Sequence, residues 1–253
     1  ILRKMGVLDF AGGTVVHMSA GFAALAGAII LGRRKSHQKN EKHEPANVPY
    51  VLLGTGLLWF GWFGFNAGSA LAANTTAELA FATTNTASAA AAIAWIFFDA
   101  MRGKKPSALG AAVGAVVGLV AITPAAGYVN IGQSIFIGTI ASLVSNLAVN
   151  WKAKSTIDDT LDVFPCHGLG GIVGMFFTGV FANGVGLIYG TTNTFMVHIA
   201  ALVGVSIFSL GGSFLLYKIT DFIIPLRVSE ELELIGLDIS QHGEGELTYP
   251  ESN

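Results

Sequence analysis

The chain has 253 residues, of which 52% are apolar and 12% are charged, whereas soluble domains carry about 25% charged residues. The formal net charge of −2 indicates no basic surface for nucleic acid, and the apolar content excludes a disordered chain. Cys166 is the single cysteine, which excludes an intramolecular disulfide framework. Three long stretches lack Asp, Glu, Lys and Arg, namely residues 45–77, 106–151 and 163–217. These properties indicate an all-α, polytopic membrane protein.

Seven segments are long and apolar enough to cross a bilayer as helices, for which roughly 20 residues are needed. They comprise residues 9–31, 48–70, 79–101, 109–128, 131–150, 163–182 and 195–217. Residues 1–218 are therefore predicted to form one transmembrane domain. Residues 219–253 are predicted to form a tail outside the membrane, whose part from Ser229 onward carries seven acidic residues and neither Lys nor Arg. Ser229 is expected to cap a short helix that begins with Glu230 and Glu231.

Small residues at helical spacing predict close helix contacts in two of the segments. One ridge repeats at intervals of four and the other at intervals of three and four: Gly110, Gly114 and Gly118, then Gly61, Gly64 and Gly68. Small side chains at such spacing let helix backbones approach closely in lipid. We therefore interpret both ridges as packing surfaces.

Basic residues lie in alternate loops of the predicted topology. The loops after the first, third and fifth segments contain Lys and Arg, whereas those around Asn74, Tyr128 and residues 183–192 contain neither. Because cytoplasmic loops carry an excess of Lys and Arg, we expect the second group of loops to lie outside and the C-terminal tail to lie in the cytoplasm. The N-terminus would then lie outside, although the chain begins at Ile1 and shows no signal-peptide pattern. We therefore expect an N-terminal truncation.

Two histidines, His17 and His167, are predicted to lie near the bilayer centre, in helices of opposite direction. Ionisable residues at this depth are costly and indicate function by default. A packing role is the alternative for each, and a metal site is less favoured because no third and fourth ligands of suitable type lie at that depth. Each histidine follows an aspartate, Asp9 or Asp162, and has glycines beside it, which is a weak symmetry of the kind found in inverted-repeat transporters.

The two aspartates have structural alternatives. Asp9 precedes Gly12, Gly13 and Thr14, and its carboxylate can accept hydrogen bonds from the free N–H groups of a helix start. We favour this capping role over direct contact with an ion. Asp162 precedes Pro165 by three residues, and the pattern leaves a structural and a functional role equally open.

An aromatic cluster ends the second segment and contains Trp62 and Phe65, followed by Asn66 and Ser69. Aromatic residues in spanning helices usually pack or face lipid. A ring that faces a vestibule can also hold a small cation over its negative face, and a ring deeper in the protein can block a narrow passage.

Five runs from one end of the chain to the other strongly resemble the microbial and plant branch of the ammonium transporter family. They are DFAGGTVVH at 9–17, GWFGFNAGSA at 61–70, TPAAGY at 123–128, DVFPCHGLGGIVG at 162–174, and LRVSEELELIGLD at 226–238, with HGE at 242–244. The resemblance implies eleven helices built as two inverted five-helix halves plus one, in a homotrimer with a pore through each subunit. It also implies that this chain begins at the family's fifth helix. Because four helices would then be missing from the pore, we expect the isolated chain of 253 residues to transport nothing.

The resemblance implies roles for matching residues. His17 and His167 correspond to a twin-histidine pair that lines the pore. Phe65 corresponds to the inner of two stacked gating rings, and Trp62 to a pore-lining residue near the histidines. Ser69 corresponds to a hydrogen-bonding acceptor in an outer recruitment site.

The resemblance further implies a structurally required aspartate at Asp9 and an aspartate before the second histidine at Asp162. Pro165 and Cys166 depart mildly from the family pattern, and Cys166 is interpreted as a small apolar filler. His198 matches no family position and is interpreted as a packing or interface residue.

The predicted function is ammonium transport across the plasma membrane, without enzymatic activity or a cofactor. The ion would be recruited at the outer aromatic site and deprotonated, and ammonia would pass the histidine pair. An ammonium sensor with little flux is the alternative, whereas an intramembrane hydrolase using Ser69 is disfavoured because its flanks show no nucleophile turn. The resemblance also implies a PII-type nitrogen-regulatory protein as a partner at the cytoplasmic face.

Overall fold

The structure is a computed structural model that describes residues 1–39 and 45–244, and each of the seven predicted segments contains a helix. These helices are α1 (Gly13–Leu31), α2 (Val48–Gly68), α3 (Thr75–Met101), α4 (Ala108–Ile122), α5 (Ile131–Lys152), α6 (Phe164–Phe181) and α7 (Thr192–Ile223). Six of them, all but α4, are long and apolar enough to cross a membrane. The predicted tail boundary at residue 218 falls inside α7, and residues 245–253 of that tail lie outside the described residues.

Side-chain caps determine where several of these helices begin. Asn47 accepts a hydrogen bond from the backbone N–H of Tyr50 at 3.0 Å, and Asn74 accepts one from Ala77 at 3.1 Å. Asn130 forms a reciprocal capping box with Gln133. Such caps satisfy N–H groups that have no partner inside the helix. The Asn74 cap explains why α3 begins at Thr75 rather than at the predicted residue 79.

Helix α4 is shorter than its predicted segment, residues 109–128, and has only 15 residues. It ends at Ile122 because Pro124, two residues later, has no N–H to continue the helix. The chain then continues through buried turns that include Thr123 and Ala125. Residues 123–126 are therefore buried in the protein although they are not part of the helix.

The two predicted glycine ridges have different fates. The ridge on α4 packs closely on α3, because a Cβ atom added at Gly118 would lie 2.5 Å from the carbonyl oxygen of Ala87. Within the described residues the α2 ridge contacts no neighbour, because no atom lies within 4 Å of the added Cβ at Gly61, Gly64 or Gly68, so its role as a packing surface stays a prediction. That side of α2 faces away from the other described helices, which the glycine spacing does not reveal.

Helices α1 and α6 cross with their backbones in contact. A Cβ atom added at Gly21 would lie 2.3 Å from both the Cα and the N atoms of Gly168, so no side chain larger than hydrogen fits there. A second close contact joins Gly171 of α6 to Met18, one turn before Gly21 on α1. A Cβ added at Gly171 would lie 3.2 Å from the backbone N of Met18. This crossing brings the middle of α1 next to the start of α6.

The segment after α7 folds back onto the end of α1. A short helix α8 (Glu230–Ile235) begins at Ser229, whose hydroxyl accepts a hydrogen bond from the backbone N–H of Leu232 at 3.4 Å, as the sequence predicts. Lys35 forms an ion pair with Glu230 at 2.6 Å, and the Arg227 side chain donates a hydrogen bond to the backbone carbonyl of Arg33 at 2.9 Å. These contacts attach the described part of the tail to the loop that follows α1.

The same face contains an ion pair between Arg34 and Asp158, with Nη2 and Oδ1 2.7 Å apart. Burial opposes ionisation of Asp158, but hydrogen bonds from the side chain and backbone N–H of Arg34, together with its charge, hold the pKa of this carboxyl at about 2. The contribution of this ion pair to stability is therefore fully present above the ordinary pKa of the carboxyl. That contribution is lost as the pH falls towards 2. A cavity of about 700 Å³ lies beside it, and no predicted site residue lines this cavity.

Candidate functional site

The start of α1 is organised around Asp9. Its Oδ1 atom accepts hydrogen bonds from the backbone N–H groups of Gly12 at 3.2 Å and Gly13 at 2.5 Å. Its Oδ2 atom accepts two more, from the backbone N–H of Thr14 at 2.9 Å and from the Thr14 hydroxyl at 2.5 Å. These are the contacts of a helix-start cap. They hold the π-helical first turns, Gly13–Met18, which carry His17.

His17 and His167 meet across the α1–α6 crossing, although they are 150 residues apart in the chain. Their Nδ1 atoms lie 3.3 Å apart, and their ring centroids lie 5.4 Å apart. His17 is only 2% exposed, and His167 is half-buried. The structure thus brings the two predicted histidines within hydrogen-bonding distance of each other.

The start of α6 carries His167 and is held by two acidic residues. Asp159 accepts a hydrogen bond from the backbone N–H of Phe164 at 2.8 Å. Asp162 has a left-handed backbone conformation, with φ of 55°, and forms an ion pair with Lys152 at 2.6 Å. Burial raises the pKa of the Asp162 carboxyl, although Lys152 acts in the opposite direction. Asp162 therefore lies at the helix start and bonds to Lys152, not to the histidine pair.

Aromatic rings cover one side of His17. The ring of Trp62 stacks on it, with centroids 5.3 Å apart and planes inclined by 15°. Phe65 contacts both rings edge-on, 6.2 Å from His17 and 5.7 Å from Trp62, and is itself 37% exposed. Four of the predicted site residues, namely His17, His167, Trp62 and Phe65, therefore form one cluster.

Ser69 lies apart from this cluster, just after the end of α2. It is half-buried, and its hydroxyl donates a hydrogen bond to the backbone carbonyl of Phe65 at 2.9 Å. Asn66, one turn beyond Trp62, is fully buried and donates a hydrogen bond to the Thr84 hydroxyl at 2.9 Å. The polar end of α2 thus faces the protein with Asn66 and leaves Ser69 near the surface.

Sequence reasoning missed two residues that contact this region, Thr123 and Asp159. The Thr123 hydroxyl lies 3.2 Å from Nε2 of His17 and accepts a hydrogen bond from the indole N–H of Trp62 at 3.0 Å. The one available signal was its place directly before Pro124, where the helix must end. For Asp159, the signal was an acidic residue six positions before Pro165 at the start of a helix.

The cluster consists of neutral or aromatic side chains next to apolar surface. Imidazole nitrogens can donate or accept one hydrogen bond each, and aromatic faces attract cations. Within residues 1–39 and 45–244, no group of three or more His, Cys, Asp or Glu side chains is placed to hold a metal ion. The arrangement is therefore suited to binding a small polar molecule and exchanging a proton with it.

Comparison with known proteins matches almost the whole chain. The sequence profile described as Ammonium Transporter Family matches residues 1–247. An ammonium transporter of Aquifex aeolicus is 49% identical over 249 residues, which is 96% of this chain and 58% of that protein. Ammonium transporter Amt1 of Archaeoglobus fulgidus is 44% identical over 248 residues, which is 96% of this chain and 63% of that protein. The chain thus spans less than two thirds of the length of these relatives.

Solved structures show the same helical architecture. Mep2 of Saccharomyces cerevisiae superposes with a TM-score of 0.88 at 36% identity, over 99% of this chain and 59% of that one. A structure described as a sensor Amt protein superposes with a TM-score of 0.87 at 31% identity, over 95% of this chain and 61% of that one. At these identities and scores, the likeness covers both the sequence and the fold.

Proposed function

Because this chain belongs to the ammonium transporter family, we propose that the protein transports ammonium across a membrane by deprotonating the ion and passing ammonia through a pore. The relatives are named transporters rather than enzymes, and the apolar helices are those of a multi-pass membrane protein. The observation that carries the proposal is the contact between His17 and His167, with Trp62 and Phe65 against it.

The physical chemistry of the ion supports deprotonation. Moving an isolated ammonium ion into an apolar medium costs on the order of tens of kcal/mol, whereas neutral ammonia avoids this cost. Phe65 acts as a gate and Trp62 lines the path, and each aromatic face attracts the cation by about 0.5–2 kcal/mol. Ser69 accepts a hydrogen bond from the ion nearer the surface. The His17–His167 pair then takes up the proton and hydrogen-bonds ammonia through an imidazole nitrogen.

An ammonium sensor with little flux is the second candidate function. It is favoured by the similarity to the sensor Amt protein, whose fold superposes on this chain nearly as well as that of Mep2. A sensor would use the same cluster to bind ammonium without conducting it. The two functions therefore differ in flux and not in the site.

Uptake by the purified full-length protein in liposomes separates these functions. We expect saturable uptake of labelled methylammonium that ammonium competes for, because both cations present N–H donors to the same acceptors. Liposomes without protein are the control. Ammonium binding without uptake would select the sensor, and neither binding nor uptake would overturn both candidates.

The proposed topology places Lys39 and Lys104 in the cytoplasm and Asn74 and Asn183 outside, with the C-terminal tail in the cytoplasm and the protein in the plasma membrane. Single cysteines at these four positions, in a Cys166→Ala background, should react with impermeant reagents from the stated side only. The background protein without an added cysteine is the control. Reaction of position 74 from the cytoplasmic side alone would reverse the topology.

We also propose a homotrimer and a PII-type regulatory protein that binds its cytoplasmic face. Large apolar side chains on the outside of the bundle, such as Phe60, Phe97 and Phe208, provide surface for lipid or for other subunits. The described part of the tail presents acidic residues next to basic ones, which suits a polar, regulated contact. Native mass spectrometry with and without a PII-type protein tests both, and a monomer without added mass would contradict them.

A further inference from the structure

The Thr123 hydroxyl connects the histidine pair to the protein backbone. Its polar neighbours are the carbonyl oxygen of Leu119 at 2.8 Å, Nε1 of Trp62 at 3.0 Å and Nε2 of His17 at 3.2 Å. A hydroxyl group donates one hydrogen bond and accepts two. With three neighbours, every role of this hydroxyl is therefore determined once its hydrogen atom is placed.

That hydrogen atom belongs to the bond with Leu119. In a regular helix the Leu119 carbonyl would accept from the N–H of Thr123, but this N–H bonds to Val120 at 3.2 Å instead. The next residue, Pro124, has no N–H to offer. Leu119 is fully buried, so a hydroxyl turned away from it would leave a buried carbonyl without a partner, which proteins avoid.

The two remaining lone pairs of Thr123 must accept hydrogen bonds. The indole N–H of Trp62 is a donor only and occupies one of them. The other faces Nε2 of His17, so this nitrogen must carry a hydrogen atom. Within residues 1–39 and 45–244 no ion pair includes either histidine, so both rings are taken as neutral, with one N–H each.

The order then continues across the pair. Nδ1 of His17 has no hydrogen atom and accepts, so Nδ1 of His167, 3.3 Å away, must donate. This leaves Nε2 of His167 unprotonated and without a hydrogen-bond partner among the described residues. We propose that the Thr123 hydroxyl fixes the tautomers of both histidines, so that Nε2 of His167 is the nitrogen at which the pair accepts a proton.

The tautomers follow from the hydrogen bonds alone, whereas their role in proton transfer rests on the proposed function. Thr123 is a positioning residue: it acts through His17 and does not itself receive the proton of the ion. In the proposed transport, the ammonium ion gives its proton to Nε2 of His167, the N–H bond of the ion breaks and ammonia remains. His17 cannot accept first, because Thr123 and His167 already occupy both of its nitrogens.

Nitrogen-15 NMR of histidine-labelled, full-length protein in lipid tests the tautomers directly. The signals are assigned from single histidine substitutions. We expect the wild-type protein to show a hydrogen atom on Nε2 of His17 and on Nδ1 of His167. Thr123→Val should add signals from the opposite tautomers, with hydrogen on Nδ1 of His17 and on Nε2 of His167. Thr123→Ser should keep the wild-type spectrum. The control is Thr178→Val, since Thr178 is equally buried but donates only to Gly174 of its own helix at 2.8 Å.

Uptake provides the second measurement. If the two pairs of tautomers become equally populated in Thr123→Val, half of the protein would have Nε2 of His167 free to accept a proton, so uptake should fall by about twofold. Thr123→Ser and Thr178→Val should stay close to wild type. A wild-type spectrum with hydrogen on Nδ1 of His17, or a folded Thr123→Val protein with an unchanged spectrum, would overturn the inference. If Thr123→Val does not fold, the wild-type spectrum still decides. Expected spectra without any uptake by the wild-type protein would support the tautomers and overturn transport.

Discussion

Replacement of His17 by leucine is expected to abolish ammonium-driven uptake while the protein still folds. Leucine has roughly the volume of imidazole but can neither accept a proton nor bond to His167 and Thr123. Positioned proton transfer contributes about 100-fold or more to rates, so uptake should fall by at least that factor. The measurement is uptake or current by the full-length protein in liposomes, normalised to folded protein, and His167→Leu should behave in the same way.

The acid variant is the matched comparison for this prediction. His17→Glu keeps a group that can donate or accept a proton, so it should retain more uptake than His17→Leu. If the histidines only pack in the core, the reverse order is expected, because the carboxyl group would be buried without a partner and the apolar variant would function. Normal current in both leucine variants would leave the pair without a role in conduction.

Replacement of Gly21 by alanine should separate the two helices that carry the histidines. The added methyl group would lie 2.3 Å from the backbone of Gly168. Neither backbone can move away there unless its whole helix shifts. Overpacking of this kind costs about 1–3 kcal/mol, and a displacement of about 1 Å at a reacting pair can cost roughly 100-fold in rate. We expect a lower melting temperature and a strong loss of uptake.

Gly211→Ala is the control for this substitution. Gly211 also lies within a long apolar helix, but no atom lies within 4 Å of its added Cβ. Alanine is the better helix former by about 1 kcal/mol, so Gly211→Ala should leave the protein folded and active. Equal stability and uptake in the two variants would show that the α1–α6 crossing is not as close as described.

The sequence by itself determined the helices and the chemical type of the site. In lipid every backbone polar group needs a partner, so each long apolar segment must be a helix, whatever its neighbours are. The predicted depth of His17 and His167 follows from counting along those segments. The Asp9 cap was also predictable, because its partners, Gly12 to Thr14, lie within five residues of it in the chain.

Only the tertiary structure decided which side chains meet. The α2 glycines match a packing pattern but face away from the other described helices, and Thr123 contacts His17 from 106 residues away. The physical reason is that these helices are apolar on all sides, so their sequence does not indicate which face a neighbour covers. Two features of the packing determine those faces: the crossing at Gly21 and Gly168, and the end of α4 before Pro124. Contacts between helices therefore follow from packing rather than from local sequence pattern.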